Sequence, residues 1–330
     1  MAVITKNQRG MALILTITLI GLIVILTLQF SKSIRAGLYE TDNFDDGIRL
    51  GTIAKSGFNC AMAVLYEDDP KVDSFLDDWA KGEEYSALSP ELFDNEGAFQ
   101  AQVTDLSGKI QINNLIYTRG AKKGEFNPKQ KDILKRFLGN PPFSLGSEEI
   151  ENILDAMKDW MDEDDIVEGL GGAEDSYYES LNNPYLCRNA PFQSLNELLL
   201  VRGITPELFY GTADTPGISA YLTVYGDGKI NINTADPKVL QALSSEELDS
   251  DMADEMVEYR KDSKNDLSSP DWWKKALTTS EPYFDASLIT VKSSYFEITS
   301  KSAKDSNIKG VTGVLRRQGK TLTVLSWMMF

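Results

Sequence analysis

From Met11 to Leu28 the chain runs for 18 mostly apolar residues without a charge, and the first charge beyond them is Lys32. That length reaches the minimum for crossing hydrocarbon and exceeds an ordinary buried segment. Apolar positions then continue at helical spacing through Ile34, Leu38, Phe44, Ile48, Ala54, Phe58, Ala61 and Leu65, with Glu40, Asp42, Asp45, Asp46 and Arg49 between them. The pattern predicts one nearly continuous helix from about Met11 to Tyr66, on the order of 80 Å long. Glu67-Asp68-Asp69-Pro70 ends it, because the residue before a proline is driven out of the helical region.

From Ala98 the period changes to two. Phe99, Ala101 and Val103 alternate with Gln100, Gln102 and Thr104, and Leu106-Ser107-Gly108 leads into Lys109-Ile110-Gln111-Ile112-Asn113. This predicts a hairpin. The element recurs as Thr223-Val224-Tyr225, Gly226-Asp227-Gly228 and Lys229-Ile230-Asn231-Ile232-Asn233-Thr234, so that Gly-Lys-Ile-x-Ile-Asn stands at both Gly108 and Gly228. Asn233 or Thr234 is the expected cap of a short helix carrying Val239, Leu240 and Leu243. Ala286–Thr299, Gly310–Arg317 and Thr321–Met328 read as a strand meander, with Arg316 and Arg317 as solvated edge charges. Between the two repeats, Pro128–Leu138, Glu148–Met161 and Leu195–Val201 read as helices, with a turn or short helix at Pro206–Tyr210.

The start of the apolar run carries a further signal. A basic leader with Lys6 and Arg9 ends at Gly10, before the apolar stretch rather than after it, which is the wrong side for a secretory signal peptide. Arg9-Gly10-Met11-Ala12-Leu13 followed by a long apolar helix resembles a prepilin leader, which prepilin peptidase cuts after Gly10, N-methylating Met11. Most such proteins carry a glutamate at the fifth mature position. Here that position is Leu15, and no acid lies between Met11 and Phe30. A charge in hydrocarbon is costly unless an opposite charge relieves it, so a subunit with nothing ahead of it in a filament needs no such glutamate. With Asn233-Thr234-Ala235, these features resemble the type II secretion system protein K family, the minor pseudopilin K.

Charge narrows the alternatives. Fifty acids against 33 bases give −17, a surface that repels phosphate backbones and argues against a nucleic-acid partner. The faint likeness of Ser194–Ile204 to a helix-hairpin-helix does not outweigh it. No histidine is present, which excludes imidazole zinc sites and histidine acid–base chemistry. Neither a phosphate-binding glycine loop nor a serine nucleophile elbow occurs, and the acids are too many to single out a catalytic pair. The chain therefore reads as non-enzymatic. Cys60 and Cys187 could pair in an oxidising compartment or remain buried thiols.

The sharpest chemical feature is Asp159-Trp160-Met161-Asp162-Glu163-Asp164-Asp165, followed by Glu168, Gly169, Gly171, Gly172 and Ala173-Glu174-Asp175-Ser176-Tyr177-Tyr178. Acids at a helix end and on a glycine-rich loop can converge on a hard cation, and irregular oxygen donors favour calcium. The spacing is not that of an EF-hand, and a solvated acidic loop is the alternative on composition. The same residues resemble the K-family signature, and the resemblance implies structural calcium, one or two ions. The candidate ligands are Asp159, Asp162, Asp164, Glu168, Glu174 and Asp175, with Asn189 as a further contact and Tyr177 or Tyr178 packing the loop.

The resemblance implies an α+β, type IV pilin-like fold: a long N-terminal transmembrane helix, an antiparallel sheet and a large, mostly helical insertion. The expected organisation is leader 1–10, transmembrane part 11–31, first pilin-like part 32–127, acidic helical insertion 128–217 and second pilin-like part 218–330. The implied role is a cap at the pseudopilus tip that helps initiate assembly with minor pseudopilins I and J; the tip minor pilin of a type IV pilus is the alternative. Prepilin peptidase, the inner-membrane secretion platform, the secretin and exported substrates are the further implied partners. The implied location is the bacterial inner membrane, single-pass, N-terminus cytoplasmic and soluble domains periplasmic. Mass spectrometry of the purified chain is expected to find N-methylated Met11 as the first residue; an intact Met1 or a cut after residue 30 would contradict the leader.

Overall fold

The computed structural model describes residues 9–93, 97–246, 248–281, 283–304 and 307–330; most of the expected leader, residues 1–8, lies outside them. Helix α1, Arg9–Glu67, is unbroken over 59 residues, in agreement with the apolar pattern. No part of its most apolar 18-residue stretch is buried within the molecule. Its C-terminal half is different: Ile53, Ala54, Phe58, Ala61 and Leu65 are buried against a sheet. Gly57 permits that approach, since a β-carbon there would run into the Phe99 ring and the Ser300 hydroxyl.

The sheet has the order β1-β6-β7-β8, formed by Phe99–Asp105, Tyr295–Lys304, Asn307–Gln318 and Thr321–Met329. All neighbours are antiparallel, with Val103 opposite Ile298 and Tyr295 opposite Arg316. Phe99, Ala101 and Val103 point into the core as the two-residue period predicts, where they join Phe58, Trp79, Phe296, Ile298 and Leu315.

The expected hairpin after β1 does not form. Strand β1 pairs with β6, and the intervening chain builds a second core that draws on residues from Ile110 to Val291. That core reaches beyond both ends of the expected 128–217 segment. The turn residues explain the departure: Asp105 Oδ1 accepts the Ser107 N–H at 2.7 Å, and the Leu106 N–H continues the ladder to Tyr295. The chain is thereby carried out of the sheet instead of folded back. Both Gly-Lys-Ile-x-Ile-Asn segments enter the second core as short parallel pairs. Strand β2, Ile110–Gln111, pairs with β3, Leu222–Thr223; β4, Ile230–Asn231, pairs with β5, Ile289–Thr290.

The helices Pro128–Gly139 and Ser147–Met161 lie where their apolar spacing puts them. Leu195–Leu200 is a 3₁₀ helix opened by a Ser194/Glu197 capping box. The helix Ser250–Lys261 has no counterpart in the sequence reading, because its buried face is Ala253, Met256 and Arg260, too polar to stand out. The Arg260 guanidinium donates to the Ile232 and Ala235 carbonyls, at 3.1 and 2.6 Å.

Where the two cores meet, a buried polar network replaces apolar packing. Asp105 Oδ2 accepts from the Asn231 amide at 3.3 Å and from the Thr234 and Ser293 hydroxyls. Asn231 also donates to Ser293 Oγ at 2.7 Å and to the Asp73 carbonyl at 3.1 Å. Asp73 Oδ2 accepts the Ser293 N–H at 2.7 Å, and Arg317 binds Asp73 and Asp68. Two expectations are corrected here. Arg317 is only 4% exposed and is an internal counter-charge, whereas Arg316 stays at the surface. The short helix Pro237–Leu243 is capped by Asp236, whose carboxylate accepts the Lys238 N–H. Thr234 serves Asp105, and Asn233 accepts from Trp272 Nε1 and donates to the Leu267 carbonyl.

Removing one partner of a buried ion pair leaves the other uncompensated. Arg317→Met is expected to lower unfolding stability by about 3 kcal/mol, and Arg316→Met by less than about 0.5 kcal/mol, in denaturant titrations of the detergent-solubilised chain.

Candidate metal centre

The helix Ser147–Met161 points Ile150, Ile153, Leu154, Met157, Trp160 and Met161 into the second core. Its acidic C-terminal turn is thus held rigidly. Asp159 is fully buried on this turn, and its carboxylate accepts the Glu168 N–H at 3.1 Å, pulling the following loop back over the helix end. Gly172 lies so close beneath that a β-carbon would collide with Asp159 Oδ2 and the Glu168 backbone. Arg202 clamps the loop from the other side through the Gly172 carbonyl at 3.0 Å. Trp160 meets Tyr178 edge-on, with ring centroids 5.3 Å apart, and Tyr178 is fully buried. This tyrosine packs the loop, as expected of Tyr177 or Tyr178.

One ligand atom each from Asp162, Asp164 and Glu174 lies within 4.8 Å of the others. Both oxygens of Asp162, both of Glu174 and Oδ1 of Asn189 are buried without a hydrogen-bond partner. Buried polar atoms are almost always satisfied, and buried carboxylates without partners are costly. Asn189 takes up the left-handed region, with φ 49°, and its amide donates to Asp165 at 3.2 Å. All the orphaned donors here are hard oxygens, a set that fits a metal such as calcium or magnesium and no soft one.

The other expected ligands are engaged differently. Asp159 accepts backbone N–H groups, Glu168 is ion-paired with Lys158, and Asp175 Oδ1 accepts the Cys187 N–H at 2.7 Å. Lys158 also stands 3.5 Å from Asp162 Oδ2, four residues along the same helix end, the spacing at which helical neighbours meet. Cys60 and Cys187 are free thiols. The first lies on α1 beside the sheet core and the second in the other core, so this separation overturns a disulfide between them.

A second acidic group, Asp68, Asp73 and Asp77, is also close enough to hold a metal, but its charge is already answered. Arg317 binds two of the three, and Asp77 Oδ2 accepts the Ser74 N–H at 2.7 Å.

Residues 108–213 match a sequence model of the family described as "Type II secretion system (T2SS), protein K", and residues 230–292 match a second model of that family. The chain belongs to that family. Family members similar to it include the type II secretion system protein K of Aeromonas hydrophila, 29% identical over 88% of each chain, and that of Pseudomonas aeruginosa, 24% identical over 94% of this chain and 90% of the relative. Among solved structures, a chain of the GspK-GspI-GspJ complex from the enterotoxigenic Escherichia coli type 2 secretion system superposes with a TM-score of 0.62 at 17% identity. The match covers 89% of this chain and 99% of that one. The fold is therefore the expected pilin-like α+β arrangement with a large helical insertion. Protein K is an assembly component and not an enzyme, so these acids are not a catalytic pair.

Burial holds the Glu174 carboxyl up at about 8, with the charges of Asp159 and Asp162 adding to the rise. Burial likewise holds Asp159 and Asp162 at about 6. Carboxyls raised in the folded state stabilise it below their unfolded pKa, and that contribution is lost as pH climbs through the folded value. In the presence of a chelator the chain is thus expected to melt at least about 3 °C lower at pH 8.5 than at pH 5.5. Glu174→Gln is expected to reduce the difference in differential scanning fluorimetry.

Proposed function

We propose that this protein is the minor pseudopilin that caps the tip of the type II secretion pseudopilus and helps start its assembly with minor pseudopilins I and J. The observation that carries this reading is the bare, charge-free stretch of α1 from Met11 to Leu28, joined to a head with two cores. A helix exposed along its whole apolar length needs lipid or other helices around it. Leu15 puts no charge where a subunit stacked ahead would present its amino terminus. The second core widens the head beyond the four-stranded sheet and obstructs any subunit placed above it. Complex formation with I and J is supported by the printed composition of the solved assembly that contains the similar chain.

In this reading prepilin peptidase cuts between Gly10 and Met11, and α1 anchors the protein in the inner membrane with its head in the periplasm until the secretion platform draws it into the filament. The tip location brings the head towards the secretin and exported substrates. Calcium is held by Asp162, Asp164 and Glu174, with the Asn189 side-chain oxygen adding to the shell. Asp159 and Asp175 hold the surrounding loop through backbone N–H groups, and Glu168 holds Lys158. The ion, when bound, neutralises clustered acids and ties the glycine-rich loop to the helix end.

Because calcium binds the folded form, at a hundredfold excess over its dissociation constant it stabilises the fold by about 2.7 kcal/mol. Thermal unfolding is expected to shift upward with calcium and downward with chelator, and the doubly substituted Asp162→Asn/Glu174→Gln protein is expected to lose the difference. Affinity capture of the full chain from membranes is expected to bring down both I and J. An unchanged melting curve counts against the ion, and absence of both subunits counts against the cap.

A further inference from the structure

Leu170 and Ile166 are 94% and 74% exposed, the two most exposed large apolar side chains among the described residues, ahead of any in the bare stretch of α1. Val167 between them is 49% exposed. All three lie within five positions, on the loop that leaves the acidic helix end. Single apolar side chains at a surface are ordinary, but a group of them kept in water marks a contact surface.

The loop cannot tuck these side chains away. A β-carbon at Gly169 would meet the Asp155 carboxylate, and one at Gly171 would meet the Asn152 backbone, so the chain on both sides of Leu170 lies flat on the helix Ser147–Met161. Earlier in the loop, Asp164 Oδ1 accepts the Ile166 N–H at 2.9 Å and Asp159 accepts the Glu168 N–H. Arg202 donates to the Gly171 and Gly172 carbonyls, at 3.4 and 3.0 Å. The backbone is thereby fixed around three aliphatic side chains that stand out as a preformed prong. An anchor shaped before binding loses little entropy when it docks. Promiscuous surfaces are instead flexible and able to repack, so a rigid prong fits one constant partner rather than varied cargo.

Charge describes the other half of the contact. Nine carboxylates and no base lie from Asp159 to Glu179. Lys158 answers Glu168 and Lys123 answers Glu163, and the proposed calcium offsets two more, so negative charge remains in surplus around the prong. Its occupant is therefore a pocket apolar at its centre and ringed by lysine or arginine. A second copy of this chain, with a formal charge of −17, has the wrong sign.

We infer that Ile166, Val167 and Leu170 form a docking prong that enters an apolar, base-ringed pocket on the part of the secretin that faces the periplasm. The inference rests on the proposed tip location and adds the surface that makes the contact. The prong is mounted on the second core, whereas α1 packs on the sheet core.

The test uses the full chain expressed with the complete secretion system. p-Benzoylphenylalanine replaces Leu170, Ile166 or, as an exposed control beside the sheet, Leu88. Irradiation of cells is expected to link positions 166 and 170 to the secretin at least about tenfold more than position 88. With purified secretin and the detergent-solubilised chain, Leu170→Asp is expected to raise the dissociation constant at least about tenfold. Leu170→Met is expected to leave it nearly unchanged, and both variants to keep the melting temperature, since the side chain lies outside both cores. Binding is expected to weaken as salt is raised. Unchanged affinity in Leu170→Asp overturns the prong and leaves the tip assignment standing. So do links from 166 and 170 to exported proteins, to a second copy or to nothing while I and J still copurify. Failure of I and J to copurify with the unsubstituted chain overturns both.

Discussion

The Asp105 carboxylate holds together what the chain would otherwise build as two separate bodies. It stands at the last residue of β1, where the backbone leaves the sheet, and binds Asn231, Thr234 and Ser293 from the segments that return to it. Burial raises its pKa, and those hydrogen bonds pull in the opposite direction. An acid so enclosed is tolerable only when its acceptor positions are filled. The second core must therefore dock in one orientation, with Asn231 reaching both Asp105 and the Asp73 carbonyl. Apolar packing is non-directional and would permit sliding at the same junction; a saturated carboxylate does not.

The same electrostatic rule accounts for the contrast between the two acidic clusters. Around Asp68 and Asp73 the counter-charge is supplied by the chain itself, through Arg317. Burial still lifts Asp73 to about 7, against the pull of that arginine. Lys158 pairs with Asp162 but is shared with Glu168, and Lys123 is taken up by Glu163. The carboxylate oxygens left over are sealed from water with no donor. A closed pair and an open cage thus arise from similar acids, and the difference lies in which cation can reach them.

The open cage also links local order to the molecule's length scale. The Trp160, Tyr178 and Phe192 rings pack on the helix that presents Asp162, and the same core carries the residues that β2 and β4 deliver from the junction. At the other end, α1 divides its apolar surface between the sheet core and an uncovered flank. The head is organised by buried polar groups, while the long helix is organised by what it has yet to cover.

Much of this was legible without coordinates. Apolar spacing placed α1 to within two residues of its ends, because membrane and core impose the same helical period on one face. Alternation placed β1, and apolar stripes placed the helices at Pro128–Gly139 and Ser147–Met161. The acidic run named Asp162, Asp164 and Glu174, since clustering of like charges is itself a local property. What sequence could not decide was who answers each charge and each strand edge. Arg316 and Arg317 read alike, yet strand alternation buries one of them against Asp73 and leaves the other in water. Strand β1 reads as half of a hairpin, yet its partner β6 lies almost two hundred residues onward. Local patterns follow from the covalent geometry of neighbouring residues, whereas pairing across such distances is chosen only when burial makes an unpartnered polar group too costly to leave.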